Sequence, residues 1–377
     1  MATGLAGAHM DYSKFIQEQL PRLFPPGREP ASGELLEFST RISEGERLTP
    51  EEAECAMEIM IGGRSSPYET ALFLTALRPD MCAPEALAAM ARVMRTRAIR
   101  VTPRGQCEIL GDNCGTGGDD LHLFNVSTAA MFVLAAAGIP IAKHGNRAST
   151  SCCGSADVLE ALGVRIDLGP EAVARCIERT GIGFMFAPSY HPAMKHVAAV
   201  RRGLPFRTVF NLLGPLCNPA PITFQLLGVY HPEILERAAR TLTLLSVPRA
   251  LIVCGEPGVE GRWMDEVSTS GQTHAILIEQ GTVRRIEIVP RSLGIAVSSL
   301  DALRGGTPPV NASILRGILD GSDTGPRRDL CLINAAAGLY AAGVAREVSE
   351  GIERARETLA GGGALRKLEQ FIEESNR

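Results

Sequence analysis

A run of glycines is the first segment of this sequence that could do chemistry. Residues 113–119 read Asn-Cys-Gly-Thr-Gly-Gly-Asp and lie between a predicted strand and a predicted helix. Glycine lets the backbone take positive φ and come close to a ligand, and successive amides in such turns form an anion-binding nest. The segment therefore predicts a phosphate cradle, although an ordinary tight strand-to-helix turn explains the glycines equally well. It matches neither a P-loop nor a dinucleotide-binding fingerprint.

The glycine run leads into Asn-Val-Ser-Thr at 125–128 and then into a long apolar stretch. Ser127 or Thr128 is expected to cap the helix that follows. The first turn of that helix has unpaired N–H groups and the positive end of the helix dipole. Two anion-binding devices are thus predicted to converge at one place.

A second polar segment, Lys-His-Gly-Asn-Arg at 143–147, follows the β-prone run at 139–142. In α/β sheets, ligands bind at the carboxyl ends of the strands, so these side chains are candidates for direct ligand contact. Lys143 and Arg147 would offer positive charge to phosphates. A solvated loop remains the alternative for this segment taken alone.

Asp265 and Glu266 form an acidic pair shortly after the Gly-rich turn at 255–261. Neighbouring carboxylates repel each other unless a cation lies between them, and oxygen ligands of this kind suit Mg²⁺ held together with phosphate oxygens. The pair predicts a metal site. Acidic pairs are also common on solvated loops, so this alternative stays open here.

The surrounding elements are expected to form a helical part and an α/β part. Helix starts with a hydroxyl cap, a proline and a glutamate occur at 49–52 and 66–69, and a third helix begins at Pro84. After residue 101, β-prone runs alternate with helical segments, which indicates an α/β sheet. Predicted strands cover residues 109–114, 209–213, 226–230, 250–254 and 275–279. Predicted helices near the C-terminus cover 311–319 and 328–344, with two more after 347.

Composition excludes several classes of function. The chain has 377 residues, 45% of them hydrophobic, with a net charge of −4, so it can bury a sizeable core but offers no bulk positive field for nucleic acid or an anionic membrane. The longest apolar stretch, 129–142, is interrupted by Gly138 and Pro140 and is read as buried core. The first nine residues lack the features of a secretory signal, and ten cysteines are too few for a disulfide scaffold. A cytoplasmic protein with reduced thiols is expected.

Taken together and in order, these segments resemble the anthranilate phosphoribosyltransferase family, within the superfamily that also holds pyrimidine nucleoside phosphorylases. The resemblance spans nearly the whole chain after Leu48. It rests on the residues at 115–119, 125–128, 143–147, 154–163, 190–196, 200–201, 207–216, 265–266, 328–329 and 334–336.

The resemblance implies an α/β fold with a helical domain, in which a small all-helical N-terminal domain is hinged to a larger α/β domain with a central sheet flanked by helices. The helical domain would cover residues 10–103, joined by 188–206, and the α/β domain that binds phosphoribosyl pyrophosphate would cover 104–377. The active site would lie in the cleft between them. A homodimer associated through the helical domain, without nucleic acid or membrane partners, is also implied.

The implied activity is transfer of the phosphoribosyl group from phosphoribosyl pyrophosphate to the amine of anthranilate, a step of tryptophan biosynthesis, with Mg²⁺ as cofactor. The residues carried over for phosphoribosyl pyrophosphate are Gly115, Gly118, Asp119, Asn125, Ser127, Thr128, Lys143 and Ser155. Those for Mg²⁺ are Ser127, Asp265 and Glu266, and those for anthranilate are Gly115, Asn146 and Arg201. An aromatic amine is already neutral at pH 7, so no general base is assigned.

Three positions depart from the family pattern. Asp120 stands where glycine is usual, Leu123 where threonine is common, and Cys152 where lysine is frequent. Each change removes a phosphate-friendly group or adds negative charge near the expected pyrophosphate. The alternatives are therefore a phosphoribosyltransferase with another aromatic acceptor, a nucleoside phosphorylase, or a non-catalytic paralogue that binds nucleic acid.

Overall fold

A computed structural model describes residues 10–27, 31–104, 108–148 and 152–377. The chain divides into two compact units. The first takes in the described residues up to Ala98 together with His191–Cys217 and Arg240–Leu245, and the second takes in Ile99–Tyr190, Asn218–Ala239 and Ser246–Arg377.

Every element in the described part of the first unit is helical. Its α-helices are Tyr12–Lys14, Leu20–Leu23, Gly33–Ser43, Pro50–Ile61, Pro67–Ala76, Pro84–Arg97, Lys195–Gly203 and Phe210–Leu216. A π-helical turn covers Phe15–Gln19 and a 3₁₀ turn covers Pro192–Met194. The helix Pro50–Ile61 packs on Pro84–Arg97, and Gly33–Ser43 packs on Pro67–Ala76.

The predicted helix starts of this unit are confirmed. Thr49 Oγ1 accepts from the Glu52 N–H at 3.2 Å while the Glu52 carboxylate accepts from the Thr49 N–H at 2.9 Å, which completes a capping box. Ser66 and Glu69 form the same arrangement. The buried Glu69 also accepts from the Ser32 N–H at 2.9 Å, so one carboxylate ties together the starts of two helices.

The strand predicted at 209–213 is wrong, because Phe210–Leu216 is a helix. The apolar run there is buried at positions 209, 210, 212 and 213, a spacing that a helix places on one side. The Asn211 side chain accepts from the Thr208 N–H at 2.9 Å and so stabilises the first turn. Short apolar runs fit helix and strand alike, so periodicity could not decide between them here.

The second unit is built on a seven-stranded mixed sheet with helices packed on it, which confirms the predicted α/β class. Its strands are β1 Gly111–Gly115, β2 Ile141–Gly145, β3 Ile182–Phe186, β4 Phe224–Gly228, β5 Arg249–Gly255, β6 Thr273–Glu279 and β7 Thr282–Ile288. Their spatial order is β3-β2-β1-β4-β5-β6-β7. The first five strands run parallel, whereas β6 and β7 are antiparallel.

The sequence missed two strands, for different reasons. β3 is a fully apolar five-residue run after Gly181, which periodicity cannot distinguish from part of a helix. β7 is an edge strand whose residues 282–286 are largely exposed, so it lacks an apolar face. The strands predicted at 109–114, 226–230, 250–254 and 275–279 are confirmed to within two residues.

In sequence, the α-helices of the second unit lie between the strands and after the last strand, β7. They are Val126–Ala136, Ser155–Leu162, Pro170–Thr180, Ala187–Tyr190, Glu233–Leu244, Pro308–Leu319, Pro326–Ala341, Val348–Ala360 and Gly363–Ser375. Short 3₁₀ turns cover Pro290–Leu293 and Leu300–Leu303. The helix Glu233–Leu244 contributes residues to both units.

The core of the second unit centres on the helices Val126–Ala136 and Pro326–Ala341. They pack so closely that a Cβ on Gly338 would come within 2.8 Å of the Leu134 side chain. Residues 129–135, 139, 141 and 142 of the apolar stretch are buried, as predicted, whereas Gly138 in its middle is exposed. No helix of the described residues is both long and apolar enough to cross a membrane. None of the nine cysteines in the described residues forms a disulfide.

Candidate active site

The sheet has a topological switch point between β1 and β4. From β1 the chain adds β2 and β3 on one side, and it then returns to place β4 on the other side of β1. The carboxyl ends of the two strands meet there, with Gly115 paired with Gly228. Crevices at such points are where open α/β sheets bind ligands. The glycine run at 115–118 begins at this end of β1.

The acidic pair is carried to the same place by a segment that crosses the strand ends. A Cβ on Gly115 would lie 2.2 Å from Asp265 Oδ2, and one on Gly228 would lie 1.6 Å from the Asp265 carbonyl oxygen. A Cβ on Gly255, at the end of β5, would lie 2.6 Å from the Glu266 carbonyl oxygen. Only glycine at these three strand ends lets residues 265–266 lie so close to the sheet.

The glycine loop is folded against this segment. The Gly117 N–H donates to Asp265 Oδ2 at 2.6 Å, and the Leu121 N–H donates to Asp119 Oδ1 at 3.1 Å. Gly117 and Gly118 have φ values of +67° and +79°, in the left-handed region that favours glycine. These φ values explain why positions 117 and 118 are glycine.

The predicted cap by Ser127 or Thr128 is wrong. The helix begins at Val126, and its N-cap is Asn125. The Asn125 side chain does not cap the helix but donates to the Cys153 carbonyl at 3.0 Å. Ser127 and Thr128 lie in the first turn, where N–H groups have no partner within the helix. The Ser127 N–H donates to the Glu266 carboxylate.

Lys143 belongs to β2 rather than to a loop after it, so the expected position of the polar segment is corrected. The side chain is only 2% exposed. Its Nζ donates to the Asn113 carbonyl and, at 3.2 Å, to Ser127 Oγ. The Asn113 amide donates to the Ser127 carbonyl at 2.7 Å. A buried ammonium group is thereby held beside the start of the helix by neutral partners.

Three carboxylates crowd together at the switch point. Burial, and then the negative charge of Asp265, raises the pKa of Asp119 above its usual value. The same two causes raise the pKa of Glu266 well above its usual value, although Lys143 and the Ser127 N–H counteract them. Such mutual repulsion is relieved when a cation binds among the oxygens. Among the described residues, no three His, Cys, Asp or Glu side chains are placed to hold a metal ion by themselves. Mg²⁺ would therefore need phosphate oxygens or water beside the one or two carboxylates that it usually takes.

The loop after β2 is organised by one carboxylate. Asp157 accepts from the N–H groups of Ala148 and Gly154 at 2.8 and 2.9 Å. Arg147, expected to offer charge to phosphates, instead pairs with Asp157 and Glu160 at 2.9 and 2.8 Å. The Arg147 guanidinium therefore links the loop after β2 to the helix Ser155–Leu162. Residues 149–151 lie outside the described residues.

Ser155 and Asn146 are brought together by this loop. Ser155 Oγ donates to the Asn146 carbonyl at 3.3 Å. Gly145 lies against the same hydroxyl, because a Cβ there would be 2.3 Å from Ser155 Oγ. Both residues follow the carboxyl end of β2, the strand next to β1.

Arg201 belongs to the first unit and is half-buried in the helix Lys195–Gly203. Its guanidinium lies 4.8 Å from the centre of the Phe210 ring. Burial lowers the pKa of Arg201 to about 10, so the group stays charged at neutral pH. Among the described residues, no carboxylate lies within salt-bridge distance of it. Its neighbour Arg202 is exposed.

Sequence reasoning gave no role to several buried polar residues that support the site. Asn334 accepts from the Val267 N–H at 2.8 Å and donates to the Val267 carbonyl at 2.9 Å, which clamps the backbone next to Glu266. Asn218 donates to Asp112 at 2.8 Å beneath Lys143. Asn311 donates to Asn125 Oδ1 at 2.8 Å. A polar residue within an apolar run, as in Asn334, is the signal that could have found them.

The three departures from the family pattern differ in their surroundings. Asp120 has φ +55°, the left-handed conformation that glycine takes most easily. Leu123 pairs with Arg304 in an isolated antiparallel bridge. Cys152 is exposed.

Comparison with known proteins places these features in a class. Residues 108–365 match the glycosyl transferase family, a/b domain, and residues 37–98 match the helical bundle domain of the same family. The chain is 47% identical over 337 residues to anthranilate phosphoribosyltransferase of Symbiobacterium thermophilum, covering 89% of this chain and 96% of the relative. It is 48% identical to that of Rubrobacter xylanophilus, covering 91% and 98%.

Solved structures agree with the sequence relatives. Anthranilate phosphoribosyltransferase of Thermus thermophilus superposes with a TM-score of 0.83 at 42% identity, covering 90% of this chain and 99% of that one. The Saccharomyces cerevisiae enzyme in complex with phosphoribosyl pyrophosphate and Mg superposes with a TM-score of 0.81 at 29% identity, covering 92% and 99%. The chain belongs to the anthranilate phosphoribosyltransferase family.

Proposed function

We propose that this protein transfers the phosphoribosyl group of phosphoribosyl pyrophosphate to the amine of anthranilate, forming N-(5-phosphoribosyl)anthranilate and pyrophosphate. The observation that carries the proposal is the 2.6 Å contact between the Gly117 N–H and Asp265 Oδ2 at the switch point. It joins a phosphate-binding type of loop to a metal-binding type of carboxylate. Two relatives at 47% and 48% identity are named anthranilate phosphoribosyltransferase.

The donor is proposed to bind over the ends of β1 and β2. The loop N–H groups and the first turn of the helix Val126–Ala136 would face phosphate oxygens, and Lys143 would add positive charge. The residues proposed to contact it are Gly115, Gly118, Asp119, Asn125, Ser127, Thr128, Lys143 and Ser155. Thr128 Oγ1 is buried and has no hydrogen-bond partner among the described residues, which is unusual for a hydroxyl unless a ligand completes it.

Mg²⁺ is proposed to be held by Ser127, Asp265 and Glu266 together with the donor. Bound there, it would neutralise charge that develops on the pyrophosphate as the bond to ribose C1 breaks. The solved yeast relative was crystallised with both phosphoribosyl pyrophosphate and Mg.

Anthranilate is proposed to contact Gly115, Asn146 and Arg201. A guanidinium presents a planar fork of donors that matches a carboxylate, and a half-buried one without an acidic partner suits that role. Arg201 is therefore proposed to bind the carboxylate of anthranilate.

The proposed reaction needs aligned reactants and groups that stabilise charge, and it does not need a strong base. Breaking the C1 bond builds positive charge on the ribose and negative charge on the leaving group. Oriented N–H groups of the glycine loop and the Lys143 ammonium would stabilise the leaving group. The amine of anthranilate is neutral at pH 7 and needs only to be aligned with C1, with its proton lost late.

On the resemblance, we also propose domain boundaries at 10–103 with 188–206 and at 104–377, and a homodimer. The cytoplasmic location is proposed from the composition of the sequence. Light scattering on the purified protein tests the dimer, since a monomeric mass would contradict it.

The activity is tested by incubating the protein with phosphoribosyl pyrophosphate, Mg²⁺ and anthranilate and following the loss of anthranilate fluorescence. We expect turnover that stops on chelation of the metal. No loss of fluorescence, with turnover of another aromatic amine in the same conditions, would move the assignment to a different acceptor.

Changing Gly117 to valine is expected to lower kcat/KM for the donor by about 10- to 100-fold, because a β-branched residue at positive φ costs of order 1–3 kcal/mol. A Cβ at Gly117 meets nothing within 4 Å, so the fold should survive. The steady-state assay with varied donor measures the effect.

The matched control for that change is Gly281→Val. Gly281 has φ +83°, has equally open surroundings and lies in the turn between β6 and β7. It should lose some stability and keep normal donor kinetics. Equal kinetic losses in both variants would mean that strain alone, and not the glycine loop, is responsible.

Asn334→Ala is expected to lower the free energy of unfolding by about 2–3 kcal/mol, because it leaves the buried N–H and carbonyl of Val267 without partners. It should also raise the Mg²⁺ concentration needed for half-maximal activity, because the backbone beside Glu266 loses its clamp. Urea unfolding and a Mg²⁺ titration measure the two effects. Asn376→Ala at the C-terminus is the control; a normal Mg²⁺ requirement in Asn334→Ala would contradict the positioning role.

A further inference from the structure

Arg262 connects the segment of the acidic pair to the glycine loop at a second point. Its Nη2 donates to the carbonyl of Asp119 at 3.1 Å and to that of Asp120 at 2.8 Å. Arg262 lies three residues before Asp265, whose side chain accepts from Gly117. The segment 262–265 therefore contacts the glycine loop at Gly117 and again at Asp119 and Asp120.

The part of the loop that Arg262 holds is one that needs support. Asp120 and His122 have φ values of +55° and +56°, in the left-handed region that aspartate and histidine enter more often than most residues but that only glycine enters without a steric cost. Asp120 stands where the family usually has glycine. A strained turn persists only when its surroundings hold it, and the described contacts to this backbone include the two Arg262 hydrogen bonds.

We infer that Arg262 is a positioning residue for the phosphoribosyl donor. It keeps the Asp119–Asp120 turn in the conformation that presents the loop amides and the Asp119 carboxylate to the pyrophosphate and its metal. The inference rests on the proposed function. Arg262 itself is exposed, and its contacts run to backbone carbonyls, so its removal should loosen the loop without unfolding the protein.

The contact also explains how Asp120 is tolerated. Glycine adopts positive φ without strain, so a loop with glycine at 120 would need no tether. With aspartate there, the tether and the residue should be energetically coupled. A double-mutant cycle between positions 120 and 262 measures that coupling directly.

The experiment compares Arg262→Ala, Arg262→Lys, Asp120→Gly and the double variant Asp120→Gly/Arg262→Ala. Trp263 is the only tryptophan of the chain and lies next to Arg262, so the midpoint of its fluorescence change on titration with Mg²⁺ and phosphoribosyl pyrophosphate reports donor binding. Arg285→Ala is the control, since Arg285 is 80% exposed and pairs with Glu236. Anthranilate turnover is measured alongside.

Arg262→Ala should weaken donor binding about tenfold, the effect of losing one or two exposed charge-assisted hydrogen bonds. The KM for anthranilate and the melting temperature should stay unchanged. Arg262→Lys should recover part of the affinity, because an ammonium can donate to the same carbonyls. The double variant should bind the donor better than Arg262→Ala alone.

Normal donor affinity in Arg262→Ala, or additive effects of the two positions, would overturn the inference. An equal loss in Arg285→Ala would show a general effect of surface charge and would overturn it as well. If the wild-type protein binds donor and Mg²⁺ but does not consume anthranilate, the proposed acceptor fails while the cycle still decides the role of Arg262. If the wild type binds no donor, Mg²⁺ and pyrophosphate are titrated in its place, and the binding midpoints of the wild type and Arg262→Ala are compared. Equal midpoints would overturn the inference.

Discussion

Changing Asp265 to asparagine and Glu266 to glutamine together is expected to lower kcat/KM for phosphoribosyl pyrophosphate by at least about 100-fold, the scale of losing one major electrostatic contribution to a transition state. The amides keep an oxygen that can accept from the Gly117 and Ser127 N–H groups, so the local hydrogen bonds should persist. What the variant loses is the negative charge. Calorimetric titration of the donor with and without Mg²⁺ measures the effect.

The same variant should be at least as stable as the wild type in the absence of metal. Burial and the charge of Asp265 raise the pKa values of Glu266 and Asp119 in the folded protein, so these two groups lower the free energy of unfolding at pH values above their ordinary pKa values. Neutral amides remove that cost. The variant is therefore expected to lose kcat/KM without losing free energy of unfolding. This result would show that the loss of activity is not caused by unfolding.

Asp167→Asn is a suitable control, because Asp167 is 71% exposed and pairs only with Arg165 among the described ion pairs. It should alter neither the metal dependence nor the stability to a measurable degree. Donor affinity in the Asp265/Glu266 variant that still rises with Mg²⁺ as in the wild type would remove the two residues from the site.

Arg201→Ala is expected to raise the KM for anthranilate by roughly 10- to 100-fold, because a charge-assisted hydrogen bond in a partly desolvated place contributes about 1.5–3 kcal/mol. The KM for phosphoribosyl pyrophosphate should stay nearly unchanged. Loss of the contact with the Phe210 ring would also lower stability somewhat, so the comparison of the two KM values, rather than total activity, is the measurement.

Arg202→Ala provides the matched control on the next residue of the same helix. Arg202 is exposed, whereas Arg201 is half-buried. It should change neither KM. If both arginines behave alike, or if only the donor KM moves, the acceptor assignment is wrong and an aromatic amine without a carboxylate becomes the better substrate.

The sequence correctly predicted the elements whose signals involve only a few neighbouring residues. The two capping boxes, the helix starting at Pro84 and four of the five predicted strands are present in the structure. Failures occurred where the signal is ambiguous over short distances. The run at 209–213 fits either helix or strand, and Asn125 begins a helix that Ser127 or Thr128 could equally have begun.

Neither segment by itself predicts that the glycine loop and the acidic pair lie next to each other. They are separated by 148 positions between Gly117 and Asp265, yet a hydrogen bond joins them. Gly228 and Gly255 gave no sign that they make room for the same segment. Arg147 was expected to face phosphate and is instead paired with Asp157 and Glu160. Close approach between distant segments depends on strand order, which residue types alone do not specify.

The sequence by itself determined the fold class, the family, and which residue types could bind phosphate and metal, because these follow from periodicity, capping and many spaced motifs. Only the tertiary structure decided that β1 and β4 are neighbours, that the acidic pair lies across their glycine ends, and that Asn334 and Arg262 hold it and the loop in place. The physical reason is that burial and like-charge crowding, which raise the pKa values of Asp119 and Glu266, arise only when segments far apart in the chain are packed together.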